Sequence, residues 1–375
     1  MESCDVLIVG GGPAGSTLAW KLKASGLDVV ILDKKTFPRD KTCAGWVTPA
    51  VIETLRLNVE EYRQGRVFQP IKRFVTGTIG GKEVHTAYDS IVSYGIRRFE
   101  FDDYLLQRCG ARQILGEPLK SLKHEGDGWV VNGKIRAPLV VGAGGHFCPV
   151  ARYLGANLGA DEQIIAAQEI EFEMNAEQQR SCTVAADRPE LYFCGDLKGY
   201  GWIFRKGNFL NIGLGREDNH KLGEHVTAFC DGLKAQGRIP LDTPAKFHGH
   251  AYLLYPLAAR QLVDDGLLLI GDAAGLAYPQ SGEGIRPAIE SAILAAETIL
   301  ATRADYRRAR LEPYVTQMTA RFGHRLQGEL PAQPGRFVQK LKQTIAHWLL
   351  RRGWFARHVV IDRWFLHRQQ PPLAS

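Results

Sequence analysis

The sequence predicts an α/β protein in which two strand–turn–helix units bracket a run of antiparallel strands and a helical tail follows. Three observations carry that class. Two apolar runs end on glycine turns, Val6–Gly15 and Leu267–Gly275, more than 250 residues apart. Between them, residues 164–215 and 247–257 show the two-residue period of strands, with turn residues as punctuation. Near the C-terminus the apolar period lengthens to that of an amphipathic helix.

Val6 to Val9 is a short apolar run of the kind a strand buried on both faces requires. Gly10, Gly12 and Gly15 then satisfy G-x-G-x-x-G, the Rossmann-like nucleotide-binding turn. The first glycine turns the chain, the second admits a pyrophosphate close to the backbone, and the third lets the helix pack against the strand. Pro13 suits the first helical turn, where no N–H is needed. Ala14 opens a helix expected to run to Ser25 and to end at Gly26. Its free N–H groups and dipole favour phosphate. Asp28–Leu32 is the next strand and ends on Asp33, 23 positions after Gly10. An acid there is expected to bind a ribose hydroxyl, with Lys34 beside it on the cofactor side. This segment leaves FAD and NAD(P) equally open.

Residues 67–95 alternate around Gly77 and Gly80-Gly81, as hairpins do. Residues 96–113 read as a helix, and Trp129–Ile135 as a hairpin turning on Asn132-Gly133. The second glycine unit continues from Gly271-Asp272-Ala273-Ala274-Gly275 through Pro279 and Gly282-Glu283-Gly284-Ile285 into an alanine-rich helix. This arrangement resembles the GD signature of FAD enzymes with the p-hydroxybenzoate hydroxylase fold. The resemblance implies FAD as cofactor, with Gly271 and Asp272 at its ribityl chain and Gly282, Gly284 and Ile285 starting a helix beside the flavin. A helix start there opposes the negative charge of reduced flavin. Capping a helix is the other reading of Asp272, and the two are compatible.

Further stretches extend the resemblance. Arg98-Phe99-Glu100-Phe101-Asp102 fits R-x-x-F-D, which makes Arg98 a cofactor-side cation; a surface arginine is the alternative. Leu139–Arg152 corresponds to V-G-A-D-G-x-x-S-x-V-R, with Gly144 for the aspartate and Cys148 for the serine. That aspartate is linked to NADPH handling in the hydroxylases, so the electron donor stays open between NAD(P)H and a reduced carrier protein. Within the superfamily the chain most resembles the geranylgeranyl reductase group. Lys41–Pro49 is similar to K-P-C-G-G-x-x-x-P, departing at Thr42 and Ala44. Gly199–Gly207 is similar to Y-x-W-x-F-P-K, with Arg205 for proline. Asn211–Gly215 and Pro279–Ile285 match N-V-G-x-G and P-x-T-G-E-G-I in the same way.

The resemblance covers about residues 1–325. It implies a discontinuous Rossmann-like FAD domain of the GR2 type at 1–66, 96–160 and 258–325. A β-sheet substrate domain at 67–95 and 161–257 would roof the flavin, leaving a C-terminal helical segment at 326–375. Lys41, Ala44 and Gly45 join the cofactor-binding set, and Trp46, Trp202, Phe204 and Pro279 the substrate pocket. The implied reaction is hydride transfer from reduced FAD to a C=C bond of a small hydrophobic substrate, an isoprenoid among the candidates. Cys43, Tyr200 and Tyr278 are the candidate proton donors. Cys43 reads equally as a small buried hydrophobe. Trp202 and Phe204, on one face of a strand, read equally as core. Two other functions stay open: monooxygenation through a flavin hydroperoxide, and electron carriage without substrate chemistry.

Composition excludes other classes. At 375 residues with 45% hydrophobic content, the chain suits two intertwined domains. It has no 18-residue apolar run, so no spanning helix is expected. The first residues enter a strand at once, so no signal peptide is expected. The seven cysteines (4, 43, 109, 148, 182, 194 and 230) form no CxxC pair and read as reduced cytoplasmic thiols without a metal. The net charge is +7, yet no nucleic-acid motif accompanies it, so no nucleic-acid partner is expected. Instead the basic character gathers at the end. In 337–352, apolar residues at 337, 338, 341, 345, 348 and 349 follow helical spacing. Trp354, Phe355, Trp364 and Phe365 follow. The tail could lie on the inner membrane face as a peripheral contact, cover the mouth of a lipid pocket, or pack on the protein's own body.

Overall fold

The computed structural model describes residues 1–156, 162, 164–218, 221–326 and 336–373. The side chain of Phe337, counted above on the tail's apolar face, lies outside the described residues.

The architecture is α/β with a helical C-terminal region, in agreement with the sequence. One sheet runs in the order 263–264, 267–269, 139–142, 6–9, 29–33, 112–115. Its neighbours are parallel except for the first pair. Leu139–Gly142 is the strand that unites the two glycine units. Its Val141 pairs with Ile8 on one side and with Leu268 on the other. The two turns therefore emerge one strand apart at the same end of the sheet, although the chain separates them widely. Val6, Leu7, Ile8, Val140 and Val141 have no exposed surface, as strands covered on both faces require. Helix Pro13–Leu22 packs against helix Ile285–Thr302.

The larger sheet has the order 248–253, 164–173, 209–216, 199–206, 190–193, 73–78, 84–87. Its pairs are antiparallel except 190–193 with 73–78. Gly213 lies opposite Trp202, and a Cβ there would sit 2.2 Å from the indole. Glycine at 213 thus makes room for the tryptophan on the next strand.

Residues 67–95 do not stay together. Arg73–Thr78 and Val84–Ala87 join the larger sheet, whereas Phe68–Ile71 and Ser93–Ile96 pair with Trp46–Val47 in a small separate sheet. Buried Lys206 ties the two sheets together, since its Nζ donates to the carbonyls of Ala44 and Ile96. The helix expected over 96–113 is confined to Arg98–Arg108, because Ser93–Ile96 and Arg112–Leu115 are strands on either side. Asn132 and Gly133 both adopt positive φ, 53° and 66°, as a two-residue hairpin turn demands.

The tail divides in two. Helix Arg336–Leu350 carries its apolar residues largely exposed, whereas Val360, Ile361, Phe365 and Leu366 are buried. These four share a cluster with Phe74, Leu191, Trp202 and Phe204 of the larger sheet. Among the described residues no helix is long and apolar enough to cross a membrane.

Candidate functional site

A cavity of about 570 Å³ is lined both by the glycine turns of the first sheet and by strands of the larger one. At the nucleotide end the backbone dictates the residue types. Gly10 has φ +119°, and a Cβ there would lie 2.4 Å from the Ala143 carbonyl oxygen. At Gly15 the clash would be with Gly10 O at 1.9 Å. Asp33 accepts hydrogen bonds from the N–H of Gly11 at 2.7 Å and of Lys35 at 2.8 Å, so it orders the turn it faces. Helices Pro13–Leu22 and Ile285–Thr302 both start without a side-chain cap or an acidic residue in the first turn. Their first residues, Pro13, Ala14 and Ile285, line the same cavity. Two sets of helix-start N–H groups thus open on one space.

Asp272 lies in a short turn, Gly271–Ala274, and caps no α-helix; the N-cap of the following helix is Gly284. Its Oδ1 would be 3.0 Å from a Cβ at Gly284, which sets the carboxylate against that helix start. His250 Nε2 stands 3.5 Å from Asp272 Oδ2, and Lys41 Nζ lies 2.8–2.9 Å from the two ring nitrogens of His250. Burial pushes the Asp272 pKa up, but the His250 hydrogen bond and the Lys41 charge overcome it and leave it at about 2. Burial draws Lys41 down to about 8 against the pull of Asp272, and it also lowers His250. At neutral pH the cluster is therefore carboxylate, ammonium and neutral imidazole. Arg98 is buried, which rules out the surface-arginine alternative. It pairs bidentately with Asp102 at 2.6 and 2.7 Å. Arg39 shares Asp102 at 3.0 Å, and its Nη1, buried at the cavity, has no hydrogen-bond partner among the described residues.

The other end is aromatic. Trp46 stacks on Phe365 with ring centroids 5.4 Å apart and meets Phe204 edge-on at 5.4 Å. Trp202 completes the wall, its Nε1–H donating to Asn211 Oδ1 at 2.7 Å. Between the two ends runs the Cys43–Gly45 loop, held from the sheet by buried polar groups. Glu169 accepts the Cys43 N–H at 2.6 Å, and Asn211 Nδ2 donates to the Cys43 carbonyl at 3.2 Å and to Glu169 at 3.1 Å. Gly45 has φ +66° and passes so close to Ile96 that a Cβ would lie 2.1 Å from its carbonyl oxygen.

Most of the expected site residues line this one cavity: Gly10, Gly12, Pro13, Ala14, Asp33, Lys34, Lys41, Cys43, Ala44, Trp46, Arg98, Tyr200, Trp202, Phe204, Asp272, Gly282, Gly284 and Ile285. Gly15, Gly45 and Gly271 stand behind the wall; a Cβ at Gly271 would meet that of Ala14 at 2.9 Å. Tyr278 and Pro279 are corrections, since neither lines the cavity. The turn closed by Gly282 N–H to Tyr278 O leaves Pro279 exposed. It sets Tyr278 against the tail, with its ring 3.9 Å from that of His367 and its hydroxyl donating to Gln370 at 2.8 Å. The two motif departures prove to be neighbours, because a Cβ at Gly144 would sit 3.2 Å from Cys148 Sγ.

Sequence reasoning missed His250, Arg39, Glu283 and Phe365, all of which line the cavity. His250 and Tyr252, two apart on strand His248–Leu253, share a face, and that alternation was a usable signal. Glu283 stands out chemically. Both of its oxygens are buried without a hydrogen-bond partner among the described residues, and burial raises its pKa to about 8. His367 lies 3.5 Å away, but burial lowers that imidazole to about 3, so the pair is neutral rather than ionic.

An FAD binding domain family model matches residues 3–196. The chain is 30% identical over 331 residues to menaquinone reductase of Mycobacterium tuberculosis, covering 80% of this chain and 77% of that one. It is 28% identical over 307 residues to digeranylgeranylglycerophospholipid reductase of Methanocaldococcus jannaschii, covering 78% and 76%. The chain belongs to the geranylgeranyl reductase-like FAD-dependent oxidoreductases. The fold of this flavoprotein is also that of a geranylgeranyl bacteriochlorophyll reductase-like protein from Thermoplasma acidophilum, with a TM-score of 0.72 at 22% identity, covering 100% of this chain and 94% of that one. FAD is the cofactor, and the cavity suits it. Two uncapped helix starts and Arg39 Nη1, which has no hydrogen-bond partner among the described residues, would suit a pyrophosphate. Asp33 and Asp272 line the same cavity and would offer carboxylate acceptors to ribose and ribityl hydroxyls.

Proposed function

We propose that this flavoprotein reduces a C=C bond of a prenyl chain lying against the aromatic end of the cavity. The reading is carried by one observation: Trp46, Trp202, Phe204 and Phe365 form an apolar wall in the same cavity as the cofactor-side residues. A chain of isoprene units has no group to hydrogen-bond and is held by such a surface alone. The names of the two curated relatives point the same way, one to a lipid with two geranylgeranyl chains and the other to a prenylated quinone.

Reduced FAD, when bound, would supply the hydride. This chain must supply a proton to the other carbon. Glu283 is the best-suited donor, because burial keeps its carboxyl protonated near neutral pH and no hydrogen-bond partner among the described residues holds its oxygens. Tyr200 donates its hydroxyl hydrogen to the Ser281 carbonyl, so its role is to fix the turn that carries Glu283. Cys43 lines the cavity on the loop between the two ends, where it would touch a substrate chain. The aromatic wall keeps water from the reacting carbons.

The test is anaerobic. The FAD-loaded protein, reduced with dithionite, is mixed with a geranylgeranylated lipid that has no quinone ring. Recovery of oxidised-flavin absorbance, with two hydrogens added per bond in the product mass, is expected. Prenylated acceptors that leave the flavin reduced would remove the reading.

A further inference from the structure

We propose that the C-terminal helix Arg336–Leu350, together with Trp354, docks this protein on an anionic lipid bilayer. Val338, Leu341, Ile345 and Trp348 recur at three- and four-residue spacing and so form one stripe along the helix. All four are exposed, at 44, 52, 49 and 56%, and Trp354 at 67%. A different side of the helix is committed to the body. Leu350 is buried, Gln343 Nε2 donates to the Asp196 carbonyl at 3.3 Å, and His347 Nε2 lies 2.8 Å from the Gly195 carbonyl oxygen. The helix is thus fixed in place with its apolar stripe facing outward.

The charges select the occupant. From Val338 to Arg357 the chain carries Lys340, Lys342, Arg351, Arg352 and Arg357 and no aspartate or glutamate. A second copy of the chain laid on the stripe would bring five more cations against these five. Lipid phosphates would meet them with opposite charge, while the stripe sinks among the acyl chains. Trp348 and Trp354 suit the boundary between headgroups and hydrocarbon. The same tail continues to Phe365 in the cavity wall, so the docking surface and the apolar end of the cavity belong to one continuous segment. Docking does not depend on which substrate the cavity takes.

Sedimentation of the FAD-loaded protein with vesicles tests the proposal. Phosphatidylcholine vesicles containing phosphatidylglycerol should bind at least about tenfold more protein than phosphatidylcholine alone, and added salt should reverse the difference. The variant Leu341→Gln/Ile345→Gln/Trp348→Gln and the variant Lys340→Glu/Lys342→Glu should each lose most of this binding while keeping FAD content and melting temperature. The proposal is overturned if the parent stays in the supernatant with both vesicle types, or if the triple variant binds as the parent does. A parent that is dimeric, bound to neither vesicle and made monomeric by the triple variant would assign the stripe to self-association instead.

Discussion

Replacing Phe365 with alanine tests whether the tail is part of the body and part of the cavity. The ring is 4% exposed, stacks on Trp46 at 5.4 Å and meets Tyr200 edge-on at 5.3 Å. Phenylalanine-to-alanine changes in cores cost about 3–5 kcal/mol. One side of this ring already faces the cavity and has fewer partners to lose, which places the expected cost near the lower end, about 3 kcal/mol. At about 2.1 cal/mol/K of unfolding entropy per residue, a chain of 375 residues loses roughly 1.3 °C of Tm per kcal/mol, or about 4 °C here. Differential scanning calorimetry of the ligand-free protein reads this directly. Phe365→Leu, which refills most of the space, should recover more than half of the loss. A Phe365→Ala variant melting within a degree of the parent would refute the packing of residues 356–366 on the larger sheet, and with it the aromatic wall.

Four further outcomes are expected. Asp272→Ala should weaken FAD binding by about tenfold or more, since a charge-assisted acceptor is lost; flavin-to-protein absorbance of the purified variant measures it. FAD affinity of the parent should fall as pH rises through about 8, where Lys41 gives up its charge; Lys41→Gln should flatten that profile in a fluorescence titration. Turnover should fall as pH rises through about 8, because a general acid works only while protonated and Glu283 ionises there. Glu283→Gln should lower turnover about 10²-fold or more and abolish that limb of the pH–rate curve while FAD content is unchanged. Cys43→Ser should likewise keep FAD but raise KM for the prenyl substrate more than it lowers kcat.

Much of the fold was legible because the devices that set it are local. The turn at Gly10–Gly15 shows in its own glycine spacing, and a Cβ at Gly15 would meet Gly10 O itself, although Asp33 and Ala143 press on that turn from distant parts of the chain. Its residue types follow from where a Cβ cannot fit or a phosphate must approach. Trp202 and Phe204 were legible as a shared face, since alternation on a strand needs no tertiary information. Tyr278 and Pro279 misled because a motif fixes their proximity to the flavin turn but not their direction. The hydrogen bond from Gly282 to Tyr278 turns both away from the cavity. Glu283 was quoted within its motif without a role, because its chemistry comes from burial, which no spacing records.

The sequence by itself determined that two glycine turns bracket a run of strands, and by its resemblance that the cofactor is FAD, because backbone sterics and side-chain periodicity are short-range. Only the tertiary structure decided which groups share the site. His250 reaches Lys41 and Asp272 across 209 and 22 positions of chain, Glu169 holds the Cys43 loop from another sheet, and Phe365 arrives from the tail to close the aromatic wall. Those contacts rest on the packing of distant elements, and it is that packing which shifts the pKa of Lys41 and Glu283.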